Sequence, residues 1–136
     1  MSIYALDHVQ LAMPEGGEHL ARQFYGDLLQ LAEVPKPANL AARGGCWFER
    51  DGVKVHLGVE KDFFPARKAH PAFLVDDLEA MVARLTAGGY AAREDEPLDG
   101  YFRVYVADPF GKSVAAMHED RHIRPQAEPQ ALQRRA

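Results

Sequence analysis

Apolar positions recur along this chain in two periods, and the switches between them mark out the elements. IYALDHVQLAM (3–13) is rich in β-branched and aromatic residues and stops at Pro14, which predicts a strand. From about Gly17, Leu20, Phe24, Leu28 and Leu31 fall at helical spacing with charged residues between them, so an amphipathic helix follows. LAEVPKP (31–37) predicts a short edge strand, because proline is tolerated where no ladder hydrogen bond is needed. CWFER (46–50), Asp51-Gly52 and VKVHLGV (53–59) carry the Asp-Gly signature of a tight hairpin.

The same cycle then returns. AHPAFLV (69–75) predicts a strand near a sheet edge, and Asp76 three residues before Glu79 resembles a capping box. Leu78, Met81, Val82 and Leu85 make one helical face that Gly88-Gly89 ends. YAARE (90–94) reads as a strand, EDEPLDG (94–100) as an acidic loop, and YFRVYVA (101–107) as a strand. DPFG (108–111) places Pro and Gly where a type I turn prefers them, and KSVAAM (112–117) completes a second hairpin. His8 and His70 are 62 positions apart; His56 and Ala115, like Gly52 and Gly111, are 59 apart. Such near-constant offsets describe a duplication. The expected fold is α+β: two βαβββ modules, about 3–59 and 69–118, joined by linker 60–68, whose half-sheets form a cleft. Residues 1–118 make a single domain, and the polar stretch 119–136 reads as a tail with little fixed structure.

Composition narrows the partners. A chain of 136 residues, 47% hydrophobic and 26% charged, is one globular domain with a core of its own. A net charge of −4 without a dense Lys/Arg block argues against nucleic acid and anionic membranes, which are held by basic patches. No basic leader precedes an apolar run, and no run approaches bilayer length, so a cytoplasmic protein is expected. Cys46, the single cysteine, cannot form an internal disulfide; in CWF it reads as a small buried hydrophobe more than as a nucleophile.

Three histidines stand out. His56 lies at the centre of a strand, where an imidazole needs a partner, and His8 and His70 sit near the starts of the two opening strands. Taken singly, each is more simply a hydrogen-bonded, partly buried residue. At matched repeat positions, their convergence on one spot becomes a real alternative. If Asp51-Gly52 is a two-residue loop, position 47 pairs with 56, and strand alternation puts Trp47 beside His56, as a pocket wall or as a core aromatic. His19, His118 and His122 have no such convergence and read as solvated. RGG (43–45) lacks the spacing of a phosphate loop, FFPARK (63–68) reads as packing between the modules, and EDE (94–96) as a solvated loop.

DHVQL at the start of the first repeat, the helix pattern after AHPAFLVDD, and FRVYVADPFGKSVAAM near the end resemble the vicinal oxygen chelate superfamily, over roughly residues 4–118. That superfamily includes glyoxalase I, bleomycin-resistance and fosfomycin-resistance proteins and extradiol dioxygenases. The resemblance implies metal ligands from the first and last strand of each module, which fall on His8, His56, His70 and Ala115. Three are ligand types. The fourth position, where the family usually has Glu, carries alanine, which weakens both a dioxygenase with a two-His, one-carboxylate site and an isomerase that uses a metal-bound Glu as base. Three neutral imidazoles would leave a metal its full 2+ charge, a stronger Lewis acid for an anionic oxygen. The implied cofactor is a divalent ion, zinc first, with Ni, Co, Fe or Mn as alternatives, or none. The implied partners are a small-molecule substrate or ligand and a second copy of the chain, as a homodimer. The resemblance also places Arg103 and Tyr105 in the cleft, Arg103 to orient an anionic group and Tyr105 to donate a hydrogen bond or proton; an exposed edge-strand arginine is the alternative. Two functions stay open: a metal-dependent lyase- or isomerase-like enzyme, and a metal-free ligand-sequestering protein of the bleomycin-resistance type.

Overall fold

Arg50 pairs with Val53 across Asp51 and Gly52, both at positive φ (49° and 84°), so the Asp-Gly turn closes β3 (Cys46–Arg50) on β4 (Val53–Val59) as its sequence requires. This hairpin is the centre of the first half. In the computed structural model, which describes residues 1–120, β1 (Val9–Met13) adds parallel to β4 and β2 (Ala32–Val34) antiparallel to β3, giving the order β1-β4-β3-β2. The second half repeats the plan: β5 (Ala72–Leu74) lies parallel to β7 (Ser113–Glu119), and β6 (Tyr101–Ala107) antiparallel to it, in the order β5-β7-β6. Gln10 pairs with His56 and Ala72 with Ala115, so the register reproduces the offsets of 62 and 59 seen in the sequence. The fold is α+β with two βαβββ-derived halves.

The helices depart from expectation in instructive ways. α1 (Glu18–Ala21) runs directly into a π-helical stretch (Arg22–Leu28), closed by the Leu29 N–H bonding to the Phe24 carbonyl five residues back. The wider turn lets the adjacent Phe24 and Tyr25 both be buried, and it leaves Leu20, expected on the inner face, 43% exposed. A short α2 (Ala38–Ala41) was not anticipated. α3 (Leu78–Ala87) is capped by Asp77, whose carboxylate accepts the Ala80 N–H at 3.0 Å; the expected box at Asp76 does not form. The reason is that Val75 still donates to Met117 O, so sheet pairing reaches one residue farther and displaces the cap.

Two expected strands are shortened. The first begins at Val9 rather than residue 3, because its partner β4 begins at Val53 and nothing lies opposite the residues before Asp7; Ile3, Tyr4 and Leu6 are consequently exposed. YAARE contributes only a bridge at Arg93 to Tyr105. Tyr90 is tied to α3 through its N–H to Leu85 O and packs its ring on Phe24, so the chain meets the β6 edge only three residues later. The tail beyond residue 120, His122 included, lies outside the described residues. His118 is not solvated as expected: its Nδ1 donates to Val75 O at 2.8 Å.

One core joins the halves. Met13, Phe24, Tyr25, Phe48, Val55 and Leu57 from the first half pack with Leu85, Val106 and Val114 from the second. A buried polar junction crosses the same boundary: Asp108 Oδ2 accepts the Tyr25 hydroxyl at 2.7 Å and the Lys112 ammonium at 2.6 Å, while its Oδ1 accepts the backbone N–H groups of Phe110 and Lys112. Burial, helped by the Asp108 charge, pushes the Tyr25 hydroxyl well above its ordinary pKa, and burial lowers that of Lys112. The linker closes over this turn, Phe63 meeting Phe110 edge-on and Lys112 lying 5.6 Å from the Phe63 ring centre. Tyr25→Phe, which removes one hydrogen bond to a buried carboxylate, should cost about 1.5–3 kcal/mol. Lys112→Met leaves that carboxylate uncompensated and should cost about 3–5 kcal/mol. Urea midpoints at unchanged slope measure both; equal, negligible losses would show the junction to be incidental.

Candidate functional site

Each half-sheet turns one face to the shared core. Val9, Leu11 and Met13 of β1, Val55 and Leu57 of β4, and Cys46 and Phe48 of β3 point inward. Alternation therefore sends His56 and Trp47 to the outer face, with His8 continuing the line of β1. Trp47 is the direct cross-strand partner of His56, as the two-residue turn predicts, and their rings stack at 3.8 Å between centres, 3° from parallel. His8 stacks on the opposite face of the group, 4.3 Å from His56 and tilted by 22°.

Local hydrogen bonds set the chemistry of these rings. His8 Nδ1 donates to Asp7 Oδ2 at 2.9 Å, and since a carboxylate only accepts, the neutral ring carries its lone pair on Nε2. That bond, followed by the charge of Lys54 3.8 Å away, lowers the Asp7 pKa. Lys54 also pairs with Glu49 at 3.6 Å, giving the stack a charged rim. Burial lowers the pKa of His56, with the neighbouring His8 adding to it, which favours the neutral imidazole.

The second half-sheet carries a separate group. His70 meets Tyr105 edge-on at 5.3 Å, and its Nδ1 donates to Lys68 O at 2.8 Å, which again leaves Nε2 as the lone-pair atom. Tyr105 sits opposite Ala115 across the hairpin, and Arg103, two residues earlier, shares its face. Ala115, at the position where a carboxylate was expected from the resemblance, is buried. The predicted residues thus fall into two clusters, Trp47–His56–His8 and His70–Tyr105–Arg103, on sheets that share no hydrogen-bonded strand pair. Among the described residues no three His, Cys, Asp or Glu side chains of one chain lie together as a metal-holding group. With Nδ1 engaged, His8 and His70 each present Nε2 as the atom that could ligate a divalent ion. In the stack, the lone pairs of His8 and His56 lie in nearly parallel planes, so one ring has to turn before both could serve one ion.

Residues outside these clusters divide as the sequence suggested, with one addition. His19 is exposed, 3.3 Å from the Gln23 amide. Cys46 is buried, and burial pushes its thiol from an ordinary 9.0 to about 11. Sequence reasoning did not single out Arg93, which bridges to Tyr105 and lies over its ring. A groove of about 440 Å³ opens elsewhere, between the halves, lined by Leu29, Phe73, Met81 and Arg84 among others; His8, His56 and His70 do not line it. For Cys46 the sign is clear: between about 9 and 11 the folded chain keeps a proton that the unfolded chain loses, so stability falls as pH rises through that window. At pH 8 the native thiol should react with a maleimide roughly a hundredfold more slowly than the unfolded chain, as followed by mass; equal rates would refute a buried, protonated thiol.

No protein-family model matches the sequence, and no curated protein matches it. Solved structures do. A protein from Bacillus anthracis assigned to the glyoxalase family is 41% identical, with 88% of this chain and 98% of that one aligned at a TM-score of 0.84. A glyoxalase/dioxygenase from Nostoc punctiforme shares 22% identity over 88% of this chain and 98% of its own, at a TM-score of 0.69. The genomically encoded fosfomycin resistance protein FosX from Listeria monocytogenes shares the fold at 14% identity, covering 89% and 98%, with a TM-score of 0.69.

Proposed function

Because this chain belongs to the glyoxalase family of the vicinal oxygen chelate superfamily, we propose that it is a divalent-metal-dependent enzyme, lyase- or isomerase-like, acting on a small oxygenated metabolite in the cytoplasm. One observation carries the reading. The Nδ1 atoms of His8 and His70 are already engaged by local acceptors, which leaves two matched imidazoles with Nε2 free to ligate, and neutral His56 stands beside the first.

The two clusters come together in a homodimer. β1 and β5 are edge strands with unpaired backbone, the arm before β1 exposes Ile3 at 94%, Tyr4 at 97% and Leu6 at 82%, and Leu74 on β5 is 68% exposed. Such edges and apolar side chains call for cover. Setting the β1 edge of one chain against the β5 edge of a second copy joins His8 and His56 to the partner subunit's His70. A divalent ion held there, zinc first and otherwise Ni, Co, Fe or Mn, would supply Lewis-acid polarisation of adjacent substrate oxygens. Trp47 and His56 form a flat wall, Asp7 fixes the His8 tautomer, Arg103 orients an anionic group, and Tyr105 supplies a hydrogen bond or proton.

The flat Trp47–His56–His8 stack also favours a second reading, a metal-free protein of the bleomycin-resistance type that sequesters a planar ligand. Metal analysis of untagged protein separates the two. The enzyme should carry near one divalent ion per chain, His56→Ala should lose it and His19→Ala should keep it; light scattering should give about twice the 15.1 kDa chain mass. A monomer without metal, or His56→Ala and His19→Ala proteins that behave alike, would overturn the metal site.

A further inference from the structure

Tyr105 is flanked by two guanidinium groups that, among the described residues, have no counter-ion. Arg93 lies directly across the bridge from Tyr105, each exchanging N–H and C=O at 2.8 Å, so their side chains rise from the same face of the sheet. Arg103 precedes Tyr105 by two residues on β6 and shares that face too. The guanidinium carbons sit 5.4 Å (Arg93) and 5.6 Å (Arg103) from the Tyr105 ring centre. Across the sheet the row continues through Ala115 to Ala72, where side chains end at a methyl.

Among the described residues no carboxylate comes within ion-pair distance of Arg93 or Arg103, although Glu94, Asp95 and Glu96 lie in the next loop. Arg103 Nη2 donates to the backbone carbonyl of Glu96 at 2.9 Å, not to its carboxylate, and Arg93 Nη2 donates to Ser113 Oγ at 3.3 Å. Among the described residues Arg103 Nε is shut off from solvent and has no acceptor. A guanidinium carries five donors in a planar fork that matches the paired oxygens of an oxyanion, and a donor left unpaired is a standing cost that an acceptor relieves.

We propose that Arg93 and Arg103, on either side of Tyr105, form an oxyanion subsite that receives a carboxylate or phosphate group of the substrate. The inference rests on the reading that the outer face of the second half-sheet lines the substrate site, and it names the substrate class: a small anionic metabolite, held by its acidic group beside His70 and Tyr105. Two like charges over one ring repel each other in the free protein; a bound oxyanion replaces that repulsion with attraction to both.

Calorimetric titration of metal-stripped, full-length protein with inorganic phosphate, and separately with acetate, tests this at constant ionic strength balanced with chloride. Wild-type protein should bind one or both oxyanions in preference to chloride. Arg93→Gln and Arg103→Gln should each weaken binding at least fivefold and the double variant should abolish it, while Arg67→Gln in the linker should bind as wild type. If Arg103→Gln unfolds, Arg93→Gln and Arg103→Lys, which keeps the charge but loses the fork, carry the test, the latter weakening binding less than loss of charge at Arg93. Affinities unchanged by these substitutions, or no preference over chloride, would overturn the subsite. Because the stripped protein is used, Arg-dependent binding supports the subsite whether or not metal analysis finds an ion, and loss of metal in His56→Ala with phosphate binding retained keeps the two readings apart.

Discussion

The Asp108 carboxylate is the constraint on which the geometry of the second half depends. Its Oδ1 gathers the N–H groups of Phe110 and Lys112 and so shapes the DPFG turn, while its Oδ2 is held from the first half by Tyr25. The turn leaves Ala107 opposite Ser113, and from that pairing every cross-strand partner of the hairpin follows. A slip of β6 by one residue against β7 would turn Arg103 and Tyr105 to the core and Val104 and Val106 to the outside. A buried carboxylate is costly to move, since its four donors, the Tyr25 hydroxyl, the Phe110 and Lys112 N–H groups and the Lys112 ammonium, must move with it. The register that presents the functional face is therefore anchored to the helix of the other half, through a contact whose partners are far apart in sequence.

Much of this architecture was legible because duplication leaves a periodic trace. The 62- and 59-residue offsets reappear as the pairings Gln10–His56 and Ala72–Ala115, and the Asp-Gly turn placed Trp47 opposite His56 without further information. What was not legible depends on contacts between distant segments. The π-helical turn arises because Phe24 and Tyr25 both have places in the core, which spacing alone, with its regular helical period, cannot express. The early end of β1 depends on where β4 starts, and the loss of a strand at YAARE on where Tyr90 is tethered. Local propensity proposed these segments, and tertiary geometry trimmed them.

The site shows the same division. His8, His56 and His70 were singled out because each matches a repeat position, and the pairing of Trp47 with His56 was legible because hairpin geometry is local. Arg93 was passed over because its importance depends on one bridge to Tyr105 across a loop that has no sequence signature of pairing. Tautomers also lay beyond the sequence. That Asp7 engages His8 Nδ1 could be guessed from adjacency, but the capture of His70 Nδ1 by Lys68 O needs the linker's path.

Charge now links the two clusters. The first offers neutral imidazoles, and Ala115 removes the carboxylate that related sites would use to offset a metal's charge. The second adds two guanidinium groups that pair with no carboxylate among the described residues. At the second cluster the two guanidinium groups make a locally positive patch, despite the chain's net charge of −4. Local potential, not net charge, governs what enters a cleft, because low-dielectric walls focus the field of the nearest groups. A neutral substrate would leave that field unanswered, whereas an anionic one completes it. On the proposed reading, the alanine at position 115 and the paired arginines follow one electrostatic logic, in which an anionic substrate would bring the negative charge itself.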